Sequence, residues 1–87
     1  MRARALVAIN LRRIRTAQGV SQERLAADAE IDRAYVSEIE REQGNPTLDL
    51  LDRLAGALGV EVLEFFLAPR DFSRPATLPR GRRRRSG

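Results

Sequence analysis

The chain contains no cysteine and no histidine. Those two absences remove thiolate and imidazole chemistry, zinc ligation by either group, and disulfide crosslinks. A chain without disulfides fits the reducing cytoplasm, which is the expected location. No apolar run approaches the ~20 residues of a membrane-spanning helix, so no membrane partner is expected. The first twenty residues are interrupted by arginines and Asn10, so they lack the continuous apolar centre of a signal peptide. Carboxylates are plentiful, but none is spaced with a nucleophile or a metal-ligand cluster. No enzymatic activity, metal or cofactor is expected.

What is present is arginine, and it is unevenly spread. All sixteen basic residues are Arg. Residues 1–18 hold five Arg and no acid. Residues 19–67 hold four Arg against eleven acids, a net −7. Residues 68–87 hold seven Arg and Asp71, a net +6, which brings the chain to +4. An acidic middle between basic ends admits a nucleic-acid partner, with long-range attraction coming mainly from the ends. Eighty-seven residues suit one small domain and a tail. A domain of that size buries only about 60% of its unfolded surface, so its folding margin is narrow.

The chain is organised around residues 20–41. Ser21 is a good N-cap, with Gln22 and Glu23 behind it. Leu25, Ala26 and Ala29 follow at helical spacing. Asp32 is a second cap, and Tyr35, Val36 and Ile39 form a second apolar stripe. Helices over 22–29 and 33–41 separated only by Glu30 and Ile31 are forced to cross, which is the helix-turn-helix arrangement. Upstream, residues 1–18 read as a helix with Val7, Leu11 and Ile14 on one face and Gly19 at its end. Downstream, Gly44 and Asn45 turn the chain before Pro46, and Thr47 caps a fourth helix with Asp49 in its first turn. Leu48, Leu51, Leu54, Ala55 and Leu58 are expected to form its apolar face, with Gly59 ending it. A fifth helix is expected over 61–67, with Val60, Val62 and Phe65 completing the core. From Ala68 on, prolines and an arginine run replace apolar periodicity, so 68–87 reads as a disordered basic tail.

Several local motifs stand in a fixed order: Ser21-Gln22 before Leu25-Ala26, Tyr35-Val36-Ser37 before Ile39-Glu40-Arg41, Asn45-Pro46-Thr47-Leu48, and Leu54-Ala55 with Ala57-Leu58-Gly59-Val60. Together they resemble the Cro and phage-repressor (XRE-type) family of DNA-binding domains over residues 6–66. The resemblance implies an all-α, compact five-helix bundle of the lambda-repressor-like kind over 1–67. It implies an internal ion pair between Arg15 and Glu40, tying the first helix to the third. It also sets glycine where this chain has Glu30 and Glu42. Both are turn positions at which a left-handed backbone favours glycine by about 1 kcal/mol.

In helix-turn-helix proteins the second helix of the motif lies in the major groove. Matched position by position, Arg33, Ala34, Ser37 and Glu38 are the candidate base contacts. Arg33 leads, because a guanidinium bonds guanine O6 and N7 together. Ser21, Gln22, Tyr35, Arg41, Asn45 and Thr47 are candidates for the DNA backbone, and Gln22 is the one the resemblance ties to both phosphate and recognition helix. Leu63, Phe66 and Leu67 are candidate dimer contacts, or otherwise fold under the start of the tail. Arg80, Arg82, Arg83, Arg84 and Arg85 are read as an arm along phosphates, against a solubilising end or an RNA-binding arm. The leading expectation is a sequence-specific transcriptional regulator, most simply a repressor or autoregulator, bound as a homodimer to a palindromic duplex operator. The alternative is a protein-interaction module or antitoxin-type partner with weak or no DNA binding, favoured by Glu30, Glu42 and the acidic middle.

Overall fold

The computed structural model describes residues 1–71. Four α-helices follow in order: α1 Ala3–Ala17, α2 Gln22–Ala29, α3 Arg33–Glu40 and α4 Leu48–Leu58. Short 3-10 turns at Val62–Phe66 and Pro69–Asp71 complete the described chain, which contains no strand. The tail arginines Arg80 and 82–85 lie outside the described residues.

Each of the last three α-helices starts on a side-chain cap. Ser21 Oγ accepts from Arg24 N at 2.9 Å, Asp32 Oδ1 from Ala34 N at 3.0 Å, and Thr47 Oγ1 from Leu50 N at 3.0 Å. All four α-helices end the same way. A residue two or three past each helix body donates back to the last turn: Val20 to Arg15, Ile31 to Ala26, Gln43 to Glu38 and Val60 to Ala55. The residue before it is left-handed in every case, Gly19, Glu30, Glu42 and Gly59, with φ between 61° and 70°. This is the Schellman closure, and glycine ordinarily supplies the left-handed residue. Here two of the four are glutamates.

The core joins Val7, Leu11 and Ile14 of α1 to Leu25, Ala26 and Ala29 of α2, Val36 and Ile39 of α3, and the inner face of α4. Phe65 closes it from the C-terminal side, fully buried, with Val60 and Val62 packed partly against it. One α4 residue differs from the expected stripe. Leu48 is 77% exposed, and Leu50 is buried instead. The two residues flank opposite edges of the α4 stripe, and on Leu48's side the first turn borders an open cleft of about 280 Å³ between α1, Pro46 and Phe66.

The expected fifth α-helix is a 3-10 turn of five residues, bounded by extended Glu61 and Leu67. Five residues rich in aromatic and β-branched side chains are too few to repay α-helix nucleation. The turn is held by α1 instead. Asn10, fully buried, donates through Nδ2 to the carbonyls of Leu6 (2.9 Å), Phe65 (3.0 Å) and Leu67 (2.9 Å).

Candidate nucleic-acid interface

α2 and α3 meet across Glu30 and Ile31, and Ile31 tucks partly into the core. The turn is clasped from α4. Arg53 donates through Nε to Ala29 O at 3.1 Å and through Nη2 to Glu30 O at 2.7 Å. These carbonyls carry the negative end of the α2 dipole, so a guanidinium is well matched to them. The turn after α3 is tied to α1, where Arg4 Nε donates to Gly44 O at 3.0 Å. Gly44 is buried against Ile39 and Tyr35, and a Cβ there would lie 3.0 Å from Ile39 Cγ1.

α3 has two faces of different character. Val36, Ile39 and Glu40 are buried, while Arg33, Ala34, Glu38 and Arg41 are exposed and Ser37 is half-buried. Glu40 is the anchor of the inner face, and its side chain is 0% exposed. Arg15, 13% exposed, donates to it through Nε (2.7 Å) and Nη2 (3.0 Å). Gln22 Nε2 donates to the same carboxylate at 3.0 Å, and Arg12 Nε reaches it at 3.4 Å. Burial alone would raise the Glu40 pKa. The hydrogen bonds from Arg15 and Gln22, the charge of Arg15 and the contact from Arg12 outweigh it and hold the carboxyl below its ordinary value. The structure thus brings Arg15, Glu40 and Gln22 into one cluster across α1, α2 and α3.

The other candidate residues fall into place around this anchor. Among the described residues, none accepts from the Arg33 guanidinium. Arg41 Nη1 donates to Ser37 Oγ and its Nε to Gln43 Oε1, so Arg41 lies along the outer face of α3 rather than standing away from it. Tyr35 is half-buried and packs on the core, so a DNA-backbone role could involve only part of its ring edge and hydroxyl. Asn45 and Thr47 are exposed beside the end of α3, and Ser21 is exposed at the start of α2. Leu63 is 71% exposed, whereas Phe66 and Leu67 are half-buried, Phe66 against the core. The candidate surface is electrically mixed, with Arg33 and Arg41 interleaved with Glu38 and Glu42.

Four side chains that tie distant parts of the fold together carry no local signal or only a faint one. Arg53, Arg4 and Gln18, which donates to Leu58 O at 2.8 Å, each reach across tens of residues. Asn10 does leave a trace, as a polar residue interrupting the Val7–Leu11–Ile14 stripe. Among the described residues no group of three or more acidic, Cys or His side chains is placed to hold a metal ion. No described helix is long and apolar enough to cross a membrane.

Comparison with known proteins fits this geometry. The helix-turn-helix family profile matches residues 11–65, more than half the chain. A hypothetical transcription factor of Neisseria meningitidis serogroup B is 41% identical over 68 residues, covering 78% of this chain and 64% of that protein. The immunity repressor protein of Bacillus phage phi105 is 40% identical over 52 residues, covering 60% of this chain and 36% of the repressor. The chain therefore spans less than two thirds of the length of either relative. The restriction-modification controller protein C.Esp1396I, solved as a tetramer in complex with its natural 35 base-pair operator, superposes with a TM-score of 0.69 at 33% identity, covering 76% of this chain and 87% of that one. With its two capped helices crossed at a tight turn and the Glu40 cluster locking the second in place, the chain belongs to the Cro and phage-repressor (XRE-type) helix-turn-helix DNA-binding family.

Proposed function

We propose that the chain is a sequence-specific transcriptional regulator that places α3 in the major groove of a palindromic operator and acts as a homodimer. The observation that carries this reading is the division of α3. Its inner face is fixed by Glu40 to two other helices, and its outer face presents Arg33, Ala34 and Glu38 to solvent. A rigid helix with an uncommitted polar face is what base readout needs. Arg33 is the leading base contact, with Ala34, Ser37 and Glu38 beside it. Gln22, Ser21, Asn45 and Thr47 fit backbone contacts, and Arg41 steadies Ser37. Repression by occupying a promoter is the simplest mechanism, in keeping with the name of the phage relative. Residues 1–67 form the binding domain in this reading, and the arginines at 80 and 82–85 extend it along phosphates.

A gel-shift titration of the full chain against random duplexes at two salt concentrations tests the reading. Binding that weakens steeply with salt supports it. No shift at either salt favours the second reading, a protein-interaction module. One observation favours that alternative: Leu63 is 71% exposed in the same short turn as half-buried Phe66, with half-buried Leu67 just after it. Within the regulator reading, the same three residues are the dimer contact.

A further inference from the structure

The Glu40 carboxylate receives two arginines, and they are not equivalent. Arg15 is consumed: Nε and Nη2 bond Glu40, Nη1 donates to Val20 O at 2.8 Å, and the side chain is 13% exposed. Arg12 touches the carboxylate once, through Nε at 3.4 Å, and its side chain is 59% exposed. Among the described residues Glu40 is the acceptor that the structure gives Arg12. One buried negative charge between two guanidinium groups leaves the cluster one positive charge in excess. Since Arg15 is enclosed, that excess is presented to solvent by Arg12.

Its position gives the excess a use. Arg12 Nε and Gln22 Nε2 bond the same atom, Glu40 Oε1, so the two side chains are neighbours. Gln22 opens α2, where the first backbone N–H groups of a helix attract anions. We propose that Arg12 is a phosphate-contacting residue of the interface, pre-positioned by Glu40 beside Gln22. The inference rests on the regulator reading and adds to it a contact from α1, outside the helix-turn-helix motif. A guanidinium already drawn to one side by Glu40 meets a phosphate without first being ordered. The contact reads no base, so its contribution is the same on every sequence.

The test is binding of the full chain to a mixed-sequence duplex across about 50 to 200 mM salt, with wild type, Arg12→Gln and Arg12→Lys measured side by side. Loss of one phosphate contact makes the slope of log K against log salt shallower by about 0.9. The affinity deficit of Arg12→Gln therefore shrinks about 3.5-fold across that range. Arg12→Lys keeps the wild-type slope, and the thermal midpoints of both variants fall far less than loss of Arg15 would lower them, since Arg12 is the weakest of the Glu40 contacts. A wild-type slope in Arg12→Gln overturns the proposal alone. So does an Arg12→Gln chain that fails to fold, because Arg12 is then a brace of the structure. A wild-type chain that binds no duplex overturns the regulator reading and this inference together.

Discussion

The helices that open and close the α-helical part of the chain, α1 and α4, end on left-handed glycines. The two between them, α2 and α3, end on left-handed glutamates. The hydrogen bonding is the same in all four turns. A Cβ in the left-handed region costs roughly 1–2 kcal/mol, so the helix-turn-helix unit carries strain at both ends of its second helix that the flanking helices avoid. The difference teaches that these two turns are set by what grips them from outside. Arg53 holds the carbonyls of Ala29 and Glu30, Arg4 holds the carbonyl of Gly44, and the Glu40 cluster fixes α3 between them.

The comparison breaks most completely when the Glu40 cluster is removed. Arg15→Ala strands a buried carboxylate with only Gln22 and the largely exposed Arg12 at 3.4 Å, and removing one partner of a buried pair costs about 3 kcal/mol or more. In a domain of this size that lowers the melting temperature by roughly 12 °C or more. A thermal scan by circular dichroism measures it. An unchanged midpoint would show that Glu40 does not hold α3.

Acid should loosen the same cluster. The Glu40 pKa is lower in the folded chain than its ordinary value of 4.5. The unfolded chain therefore binds the proton more readily. The stability this supplies is present above pH 4.5 and is lost as pH falls through the lower folded value. Urea midpoints measured downward from neutral pH should fall in wild type, and Glu40→Gln should flatten that part of the curve.

Smaller effects sharpen the contrast between glycine and glutamate turns. Arg53→Ala leaves two helix-end carbonyls to solvent and should cost about 1 kcal/mol. Glu30→Gly relieves roughly 1–2 kcal/mol of left-handed strain but adds about 0.4–1 kcal/mol of unfolded-chain entropy. The net lies between about zero and a gain of about 1.6 kcal/mol, and Glu42→Gly should behave alike. Glu30→Ala keeps the Cβ and should gain nothing. Denaturant midpoints separate these cases, and equal midpoints for the Gly and Ala variants would remove strain from the account.

Most of the fold was legible because its signals are local. Ser21, Asp32 and Thr47 announce helix starts, Gly19 and Gly59 announce ends, and the apolar stripes give the buried faces. The expected fifth α-helix does not form, and a short apolar stretch such as 62–66 does not distinguish an α-helix from a 3-10 turn hung on a buried asparagine. The exposure of Leu48 and the burial of Leu50 leave no local mark, because both sit at the margins of one stripe and only the neighbours decide which is covered. Glu30 and Glu42 were recognised as standing at glycine positions only through the family resemblance. Arg53, Arg4 and Gln18 were invisible, since each acts on a carbonyl far along the chain. The candidate interface was legible to the level of which residues face outward on α3. Which base each would read depends on a duplex that the sequence does not contain.

The central claim is that the outer face of α3 reads sequence, and selection of bound duplexes from a random pool tests it most directly. Run with wild type and Arg33→Ala, it should return for wild type one motif with half-sites about 34 Å apart. The variant should relax the preference at one position per half-site by about 1–3 kcal/mol. A wild-type pool that stays random, or a variant that selects the same motif with the same stringency at every position, would contradict it.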